Sequence, residues 1–227
     1  GSSYNGVVAG SIGDISTLSF NANKVVAGIS GGGAIITDGD TEIFKKLRKH
    51  GNNEILGYNS KMLLFNAEVI NYRLNKLDSY IERRQEIAKQ YDEALKDFVI
   101  VQSNTGGHNY HKYVIRLQNK KIRDKLKEKL GAKVHYENPI SENKMYNNIE
   151  HRKDITYVSK IVSDTVLTLP LHPYMTQSEI DTIINTILIV LEQDNDKFVD
   201  SMKKIIGDDL FDKSLINEKT EDIYDHI

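Results

Sequence analysis

The stretch that decides the fold is Ser19-Phe20-Asn21-Ala22-Asn23-Lys24, followed by Gly28-Ile29-Ser30-Gly31-Gly32-Gly33. Lys24 ends a predicted strand beside a glycine-rich turn, where backbone can approach a ligand closely. A lysine in a partly buried site of this kind can serve as a Schiff-base nucleophile. Taken alone, the segment is more typical of a surface lysine beside an ordinary turn, so both interpretations stay open here.

The glycine run excludes two common phosphate-binding motifs. A P-loop needs Gly-Lys-Ser/Thr after its glycines, and here the glycines are followed by Ala34-Ile35-Ile36. A dinucleotide fingerprint needs a helix at this point, whereas residues 33–37 predict a strand that ends at the turn Asp38-Gly39-Asp40. A second strand is predicted over residues 15–20.

Helical patterns follow the two strands. Thr41 is predicted to cap a short helix through Lys49, and a long amphipathic helix is predicted over residues 60–96. Its charged face, which includes Arg84, is typical of a solvated surface. In Gly57-Tyr58-Asn59-Ser60, local chemistry favours Asn59 and Ser60 as the N-cap of this helix.

From residue 98 onward, strands and helices alternate, which predicts a small α+β domain. The predicted strands cover residues 99–101, 110–117, 134–136 and 166–169, and the predicted helices cover 120–130, 154–162 and 177–192, with Thr176 as the last N-cap. Residues 193–227 are rich in charge and predict an appended helix and a loose tail.

The histidines do not predict a metal site. His108, His111, His135 and His172 have no acidic partner at helical ligand spacing. Hydrogen-bonded histidines or contacts to a polar substrate are the expected alternatives.

Composition excludes several classes of protein. The 227 residues carry 30 Lys plus Arg against 32 Asp plus Glu, a net charge of −2 that argues against nucleic-acid binding. Without cysteine there is no disulfide framework or thiolate zinc site, and a cytoplasmic location is expected. No apolar run reaches the roughly 18 residues that span a bilayer, and the first residues do not resemble a signal peptide, so no membrane partner is expected.

Several motifs, in this order, resemble the DegT/DnrJ/EryC1/StrS sugar aminotransferases. They are Gly13-Asp14-Ile15, Ser19-Phe20-x-x-x-Lys24, the glycine run through Asp38, Gly57-Tyr58-Asn59-Ser60-Lys61-Met62, Tyr110-His111-Lys112-Tyr113, Val134-His135-Tyr136 and Leu167-Thr168-Leu169-Pro170-Leu171-His172-Pro173. The resemblance covers residues 1 to about 192.

The resemblance implies an α/β fold of the aspartate-aminotransferase type and a pyridoxal-phosphate enzyme. Such enzymes act as homodimers on keto-sugar nucleotides, with glutamate as the expected amino donor. By the resemblance, Lys24 is the Schiff-base lysine and proton shuttle. Ser19 binds the cofactor phosphate, Asn59 reaches the phosphate in the neighbouring subunit, and His135 and Tyr136 lie near the sugar nucleotide.

Two departures qualify the resemblance. Lys61 stands where many members have arginine, which weakens a bidentate role there. In family members, the sequence that matches residue 1 comes directly after the acidic cofactor-binding motif. The chain therefore resembles the C-terminal portion of the enzyme, with its N-terminal portion as an expected partner, and residues 1–227 alone are not expected to form a working enzyme.

On this basis we expect four regions: residues 1–59 end the large cofactor-binding domain, 60–97 form a connecting helix, 98–192 form the small domain, and 193–227 are appended. The alternative hypothesis is a non-catalytic fragment or binding partner of the same fold, without a complete cofactor site. The identity of the sugar cannot be inferred from residues 137–142, which differ from the common family form.

Overall fold

The computed structural model of the chain describes residues 1–103, 106–146, 148 and 156–206, and side chains as far as residue 195. The chain divides into two compact units made of six alternating segments. The first unit contains Gly1–Glu93, Gln102–Tyr113 and Pro170–Thr176, and the second contains Ala94–Val101, Val114–Leu169 and Gln177–Ile227.

Two antiparallel strand pairs open the first unit. Strands β1 (Ser3–Tyr4) and β2 (Val7–Val8) form a hairpin around Asn5 and Gly6, whose φ angles are 49° and 79°. Asn-Gly favours this geometry because both residues tolerate positive φ. Strands β3 (Ile15–Ser19) and β4 (Gly33–Thr37) pair in a register that places Ser19 opposite Gly33. These two strands were predicted from the sequence, and the hairpin was not.

Helix α1 (Glu42–Leu47) begins where the sequence predicts, but its cap differs. The side chain of Thr41, at the N-cap position, makes no capping bond, and Oδ1 of Asp40 instead accepts from the backbone N–H of Glu42 at 2.8 Å. A carboxylate suits this end of a helix because it faces unpaired N–H groups and the positive end of the helix dipole.

The single long helix predicted over residues 60–96 is wrong, because the structure has α2 (Leu64–Leu74) and α3 (Leu77–Leu95). The start is delayed because the backbone before α2 is committed to another segment. Tyr58 N–H donates to the Leu47 carbonyl, and Ser60 N–H donates to the Arg48 carbonyl. Residues 58–60 are held by these bonds, and by the bridge between Asn59 and Lys49, in a paired segment that is not helical.

A small core of the first unit includes residues on both sides of Lys24 in the sequence. Phe20, Val26 and Ile70 are buried together, and Leu18, Ala34, Met62 and Leu77 pack against them. Because Phe20 and Val26 flank Lys24 in the sequence, burial of these two apolar side chains anchors both ends of the segment between them.

The second unit is a small α+β arrangement. Strands β5 (Tyr113–Arg116) and β6 (Val166–Leu169) form a two-stranded sheet, and every residue of β6 is buried. Helix α4 (Lys120–Leu130) packs against α5 (Tyr157–Thr165) and α6 (Gln177–Ile206). The predicted bounds of α4 are confirmed, with Asn119 Oδ1 accepting from Ile122 N–H at 3.0 Å and Gly131 ending the helix at a φ of 58°.

Three predictions in the second unit are wrong. Residues 99–101 form no strand, and Ile100 makes only a single bridge to Arg116. The strand predicted over 134–136 is a turn, because Lys133 alone bridges to Thr168. The last helix continues to Ile206 rather than ending at residue 192. The predicted start of α5 at residue 154 and the tail beyond 206 lie outside the described residues. Of the helices that the structure describes, none has the length and low charge needed to cross a bilayer.

Candidate active site

Lys24 lies in a tight turn after β3 rather than at the end of the strand itself. The strand ends at Ser19, and Lys24 N–H donates to the Asn21 carbonyl at 2.9 Å to close the turn. Asn21 Oδ1 also accepts weakly from Asn23 N–H, at 3.4 Å. Asparagine favours such turns because its side chain bonds backbone nearby. The Lys24 side chain is exposed, so the turn presents its amine to solvent.

Phe20 closes the loop that carries Lys24 at both ends. Its N–H donates to the Gly32 carbonyl at 2.9 Å, and its carbonyl accepts from Gly28 N–H at 2.7 Å. Gly31 and Gly32 have φ angles of 76° and 130°, in the region that L side chains avoid. The glycine run is therefore needed for the shape of this loop.

Helix α2 holds the same loop from a second side. The buried side chain of Asn66 bonds backbone groups of Ile29, Ser30 and Gly31. Arg73 Nη1 donates to the Ala27 carbonyl.

His111 holds the loop from a third side. Its Nε2 lies 2.7 Å from the Asn23 carbonyl oxygen, and because a carbonyl only accepts, Nε2 carries the hydrogen. Burial chiefly lowers the pKa of His111, and the positive charges of Lys112, Lys24 and Arg84 lower it further, against the opposing effect of the bond to Asn23. A neutral imidazole that donates from Nε2 is the consequence of this environment.

His108 is also held neutral, next to the segment that carries His111. Its Nδ1 accepts from Tyr110 N–H at 2.8 Å, and its Nε2 lies 2.7 Å from the side-chain amide of Gln102. Burial lowers the pKa of His108. The expectation of ordinary hydrogen-bonded histidines is confirmed at both positions.

The sequence pattern indicated that Arg84 belongs to a solvated face of the helix. That prediction is wrong, because Arg84 is buried. Only 7% of it is exposed, and Nη1 donates at 3.0 Å to the carbonyls of both Tyr110 and Leu171. Burial lowers the pKa of the guanidinium. Arg84 thereby joins two distant stretches of chain within the first unit, a role that helical periodicity alone does not reveal.

Ser19 and Asn59, the two predicted phosphate contacts, are both exposed. Ser19 is the last residue of β3, and its hydroxyl accepts weakly from Asn21 N–H at 3.4 Å. Asn59 forms a bridge with Lys49, and the N-cap position of α2 is Leu63. The alternative of Asn59 as a helix cap is therefore wrong, and its side chain is available to a ligand.

His135 and Tyr136, the predicted sugar-nucleotide contacts, belong to the second unit, whereas Ser19, Lys24 and Asn59 belong to the first. His135 is half-buried, and its Nδ1 lies 2.8 Å from the Thr168 hydroxyl. Tyr136 is 73% exposed, with its ring edge-on to that of His135 at 5.4 Å between centroids. The Thr168 hydroxyl orients the imidazole, and the phenol beside it stays open to solvent.

The chemistry available on the Lys24 segment is an amine and a hydroxyl. Among the described residues, no carboxylate forms an ion pair with the Lys24 amine, so it is open to reaction with a carbonyl compound. The Ser19 hydroxyl can donate to a phosphate oxygen. No group of three or more metal-ligating side chains occurs within the described ranges.

Comparison with known proteins gives consistent matches. A family model described as the DegT/DnrJ/EryC1/StrS aminotransferase family matches residues 1–188. The dTDP-3-amino-3,6-dideoxy-alpha-D-galactopyranose transaminase of Aneurinibacillus thermoaerophilus is 28% identical over 200 residues, which are 82% of this chain and 54% of that protein. The chain spans about half the length of the curated relatives it matches.

Solved structures match over a similar extent. An aminotransferase of this type from Brucella abortus is 28% identical with a TM-score of 0.72, covering 80% of this chain and 52% of that one. A putative sugar aminotransferase from Streptococcus pneumoniae, solved in its PLP form, is 25% identical with a TM-score of 0.74, covering 85% of this chain and 55% of that one.

Proposed function

The chain belongs to the DegT/DnrJ/EryC1/StrS aminotransferase family, and we propose that the protein transfers an amino group to a keto-sugar nucleotide with pyridoxal phosphate as its cofactor. Membership confirms the α/β, aspartate-aminotransferase-like fold expected from the sequence. The observation that carries the proposal is Lys24, an exposed amine on a loop held from three sides by bonds to its backbone.

Pyridoxal phosphate fits the residues that are present. The Lys24 amine is open to the cofactor aldehyde, and the hydroxyl of Ser19 and the amide of Asn59 are exposed donors for phosphate oxygens. When bound, the cofactor draws electron density from the substrate carbon that carries the amine, which makes a proton on that carbon acidic.

Lys24 is the residue that moves this proton. Its Nζ, when unprotonated, accepts the proton from the donor substrate, and it returns a proton to the sugar in the second half of the reaction. The turn closed by Asn21 aims the lysine stem, and the bond from His111 to Asn23 keeps the turn in place. Glutamate is the proposed donor, as the resemblance to the family implies.

His135 and Tyr136 are the proposed contacts to the sugar nucleotide. The Thr168 hydroxyl orients His135, and Tyr136 offers an exposed ring and hydroxyl. An aromatic face with a hydroxyl at its edge can contact both a base and a sugar.

A homodimer is proposed because apolar side chains near Asn59 are exposed. Leu56 is 91% exposed, Leu64 78% and Phe65 71%. Exposed apolar patches of this kind mark surfaces that are covered in an assembly. In the proposed dimer Asn59 serves the neighbouring subunit's cofactor, and the N-terminal portion of the enzyme contributes the remainder of the pocket.

The test is covalent trapping in the complete protein. The protein is incubated with pyridoxal phosphate, reduced with borohydride, digested and mapped by mass spectrometry. We expect the label at Lys24 and a visible absorbance that is lost in Lys24→Ala, with transamination from glutamate reduced by about 10²–10⁴-fold. The control is Lys89→Ala, an exposed lysine on α3 that should leave label and activity unchanged. An unchanged spectrum in Lys24→Ala would contradict the proposal, and label without transamination would favour the non-catalytic alternative.

A further inference from the structure

We propose that Asn66 is a positioning residue for Lys24. Its side chain, on α2, fixes the backbone of residues 29–31 and thereby the loop from which Lys24 projects. The inference rests on the proposed function, because it takes Lys24 to be the lysine that binds the cofactor.

Asn66 uses both ends of its amide on one short stretch of backbone. Its Oδ1 accepts from Ile29 N–H at 2.7 Å and from Ser30 N–H at 3.3 Å, and its Nδ2 donates to the Gly31 carbonyl at 2.7 Å. The amide has one possible orientation here, because backbone N–H groups only donate and a carbonyl only accepts. Asn66 is 3% exposed, so water cannot replace these bonds cheaply.

The position of Asn66 on α2 explains why it points inward. Ile70, one turn later, is also buried and belongs to the small core with Phe20 and Val26. Residues four apart lie on one face of a helix. Burying an asparagine on an otherwise apolar face costs desolvation free energy. Only the hydrogen bonds of its side-chain amide offset that cost.

Loop closure connects Asn66 to Lys24. The backbone of Phe20 bonds both Gly28 and Gly32. The stretch that carries Lys24, before Gly28, and the stretch that Asn66 holds, between Gly28 and Gly32, are therefore joined at the same residue. The fit is close, because a Cβ added to Gly28 would collide with the Gly31 carbonyl oxygen and with the Asn66 amide. The loop therefore cannot shift at residues 29–31 without displacing the backbone that leads to Lys24.

The test compares three variants of the complete protein. Asn66→Leu removes all three bonds at similar size. Asn66→Asp keeps the shape and reproduces the donor and acceptor pattern only when its carboxyl group is protonated. Asn71→Asp is the matched control, since Asn71 is an exposed asparagine on the same helix.

The readout is the rate at which pyridoxal phosphate labels Lys24. Lys24 Nζ bonds to the aldehyde carbon with loss of water, and borohydride then reduces the C=N bond to a stable amine that mass spectrometry locates. The unfolding temperature is measured in parallel at each pH. Burial should raise the pKa of the carboxyl group that Asn66→Asp introduces, and the guanidinium of Arg73, which bonds the Ala27 carbonyl in the same loop, should oppose that rise.

We expect Asn66→Leu to label Lys24 about tenfold more slowly than wild type at every pH, as loss of a buried hydrogen-bond set predicts. For Asn66→Asp, the ratio of its rate to that of wild type should approach one at low pH and fall as the carboxyl group ionises. Asn71→Asp should match wild type throughout.

Two outcomes overturn the inference. If both Asn66 variants unfold at lower temperature but label Lys24 at the wild-type rate, Asn66 stabilises the fold without positioning the lysine. If wild type itself is not labelled at Lys24, the proposed function fails together with the inference. Because the first result needs a labelled wild type, the two failures are distinguishable.

Discussion

The loop that carries Lys24 and the turn that carries His135 are built differently. In the first, the backbone of Phe20 and the side chains of Asn66, Arg73 and His111 bond backbone atoms of the loop. Asn66 is buried, and His111 is half-buried. In the second, the bridge from Lys133 and the Thr168 hydroxyl hold the start of the turn, and exposed ion pairs such as Lys127 with Glu137 hold its far end.

The difference indicates that the geometry of the Lys24 loop is fixed, whereas that of the His135 turn can adjust. Buried bonds to backbone fix atomic positions, because breaking one leaves a polar group without water. Exposed ion pairs contribute little, since solvent screens them. Three relatives of this chain are named for different sugars, yet each of the three is named as a transaminase or aminotransferase. Under the proposed function, a rigid lysine loop and an adjustable turn at His135 would suit one reaction applied to different substrates.

The largest expected effect comes from Gly28→Ala, which would break the rigid side of the comparison. The added methyl group collides with the backbone oxygen of Gly31 and with the Asn66 amide, so the loss of unfolding free energy should exceed the loss of about 1–3 kcal/mol that overpacking usually causes. Gly13→Ala is the control, because its Cβ would meet only the Ile15 carbonyl oxygen, at 3.7 Å. Denaturant unfolding measures both, and equal stability of the two variants would show that the loop is not closely packed.

The next largest effect is expected from Asn59→Ala, which tests whether the exposed Asn59 side chain, on backbone bridged to Lys49, binds the cofactor phosphate. A hydrogen bond to a charged group contributes about 1.5–3 kcal/mol, so affinity for pyridoxal phosphate should fall roughly ten- to a hundredfold. Label at Lys24 should persist at saturating cofactor. Equilibrium titration of the visible absorbance measures the affinity, and a wild-type value would remove Asn59 from the site.

A smaller effect is expected from Thr168→Val, a change on the buried strand β6 that removes the partner of His135 in the adjustable turn. The change keeps the shape but removes the hydroxyl 2.8 Å from His135 Nδ1, so the unfolding free energy should fall by about 0.5–1.5 kcal/mol. KM for the sugar nucleotide should rise while labelling of Lys24 stays constant. Thr182→Val, an exposed threonine on α6, serves as the control. A slower labelling rate in Thr168→Val would contradict the division between the two regions.

The smallest effect is a pH dependence set by His108 and His111. Both have a pKa below the ordinary value of about 6.5, so the unfolded chain binds more protons. Their contribution to stability is present above that value and is lost as the pH falls through the lowered pKa values. We expect the unfolding temperature of wild type to drop more steeply below about pH 6.5 than that of His108→Gln/His111→Gln. Parallel curves would mean that the fold lowers the pKa of neither histidine.

Local chemistry in the sequence was sufficient for part of this structure. Strand β4, helix α4 and the turn near Lys24 were predicted because their glycines, caps and apolar runs lie close together in the chain. The Asn5-Gly6 hairpin carried a local signal of the same kind and was overlooked. The roles of Lys24, Ser19 and Asn59 came from family resemblance, and they stay predictions.

Other features depended on contacts that a local pattern does not contain. Asn66 bonds residues 35 to 37 positions away, and His111 bonds a carbonyl 88 positions away. The start of α2 was misplaced because residues 58–60 pair with the end of α1 and the residues after it. Arg84 was assigned to solvent because its carbonyl partners come from residues 110 and 171.

The order in which the chain visits its two units has a practical consequence for dissection. Six alternating segments mean that the backbone passes between the units five times. A fragment cut at residue 93 would lack Tyr110 and Leu171, and would leave the Arg84 guanidinium without the two carbonyls that receive it. No single cleavage or truncation therefore yields either unit whole, and only a gene that rejoins residues 1–93, 102–113 and 170–176 with new linkers could produce the lysine-bearing unit by itself.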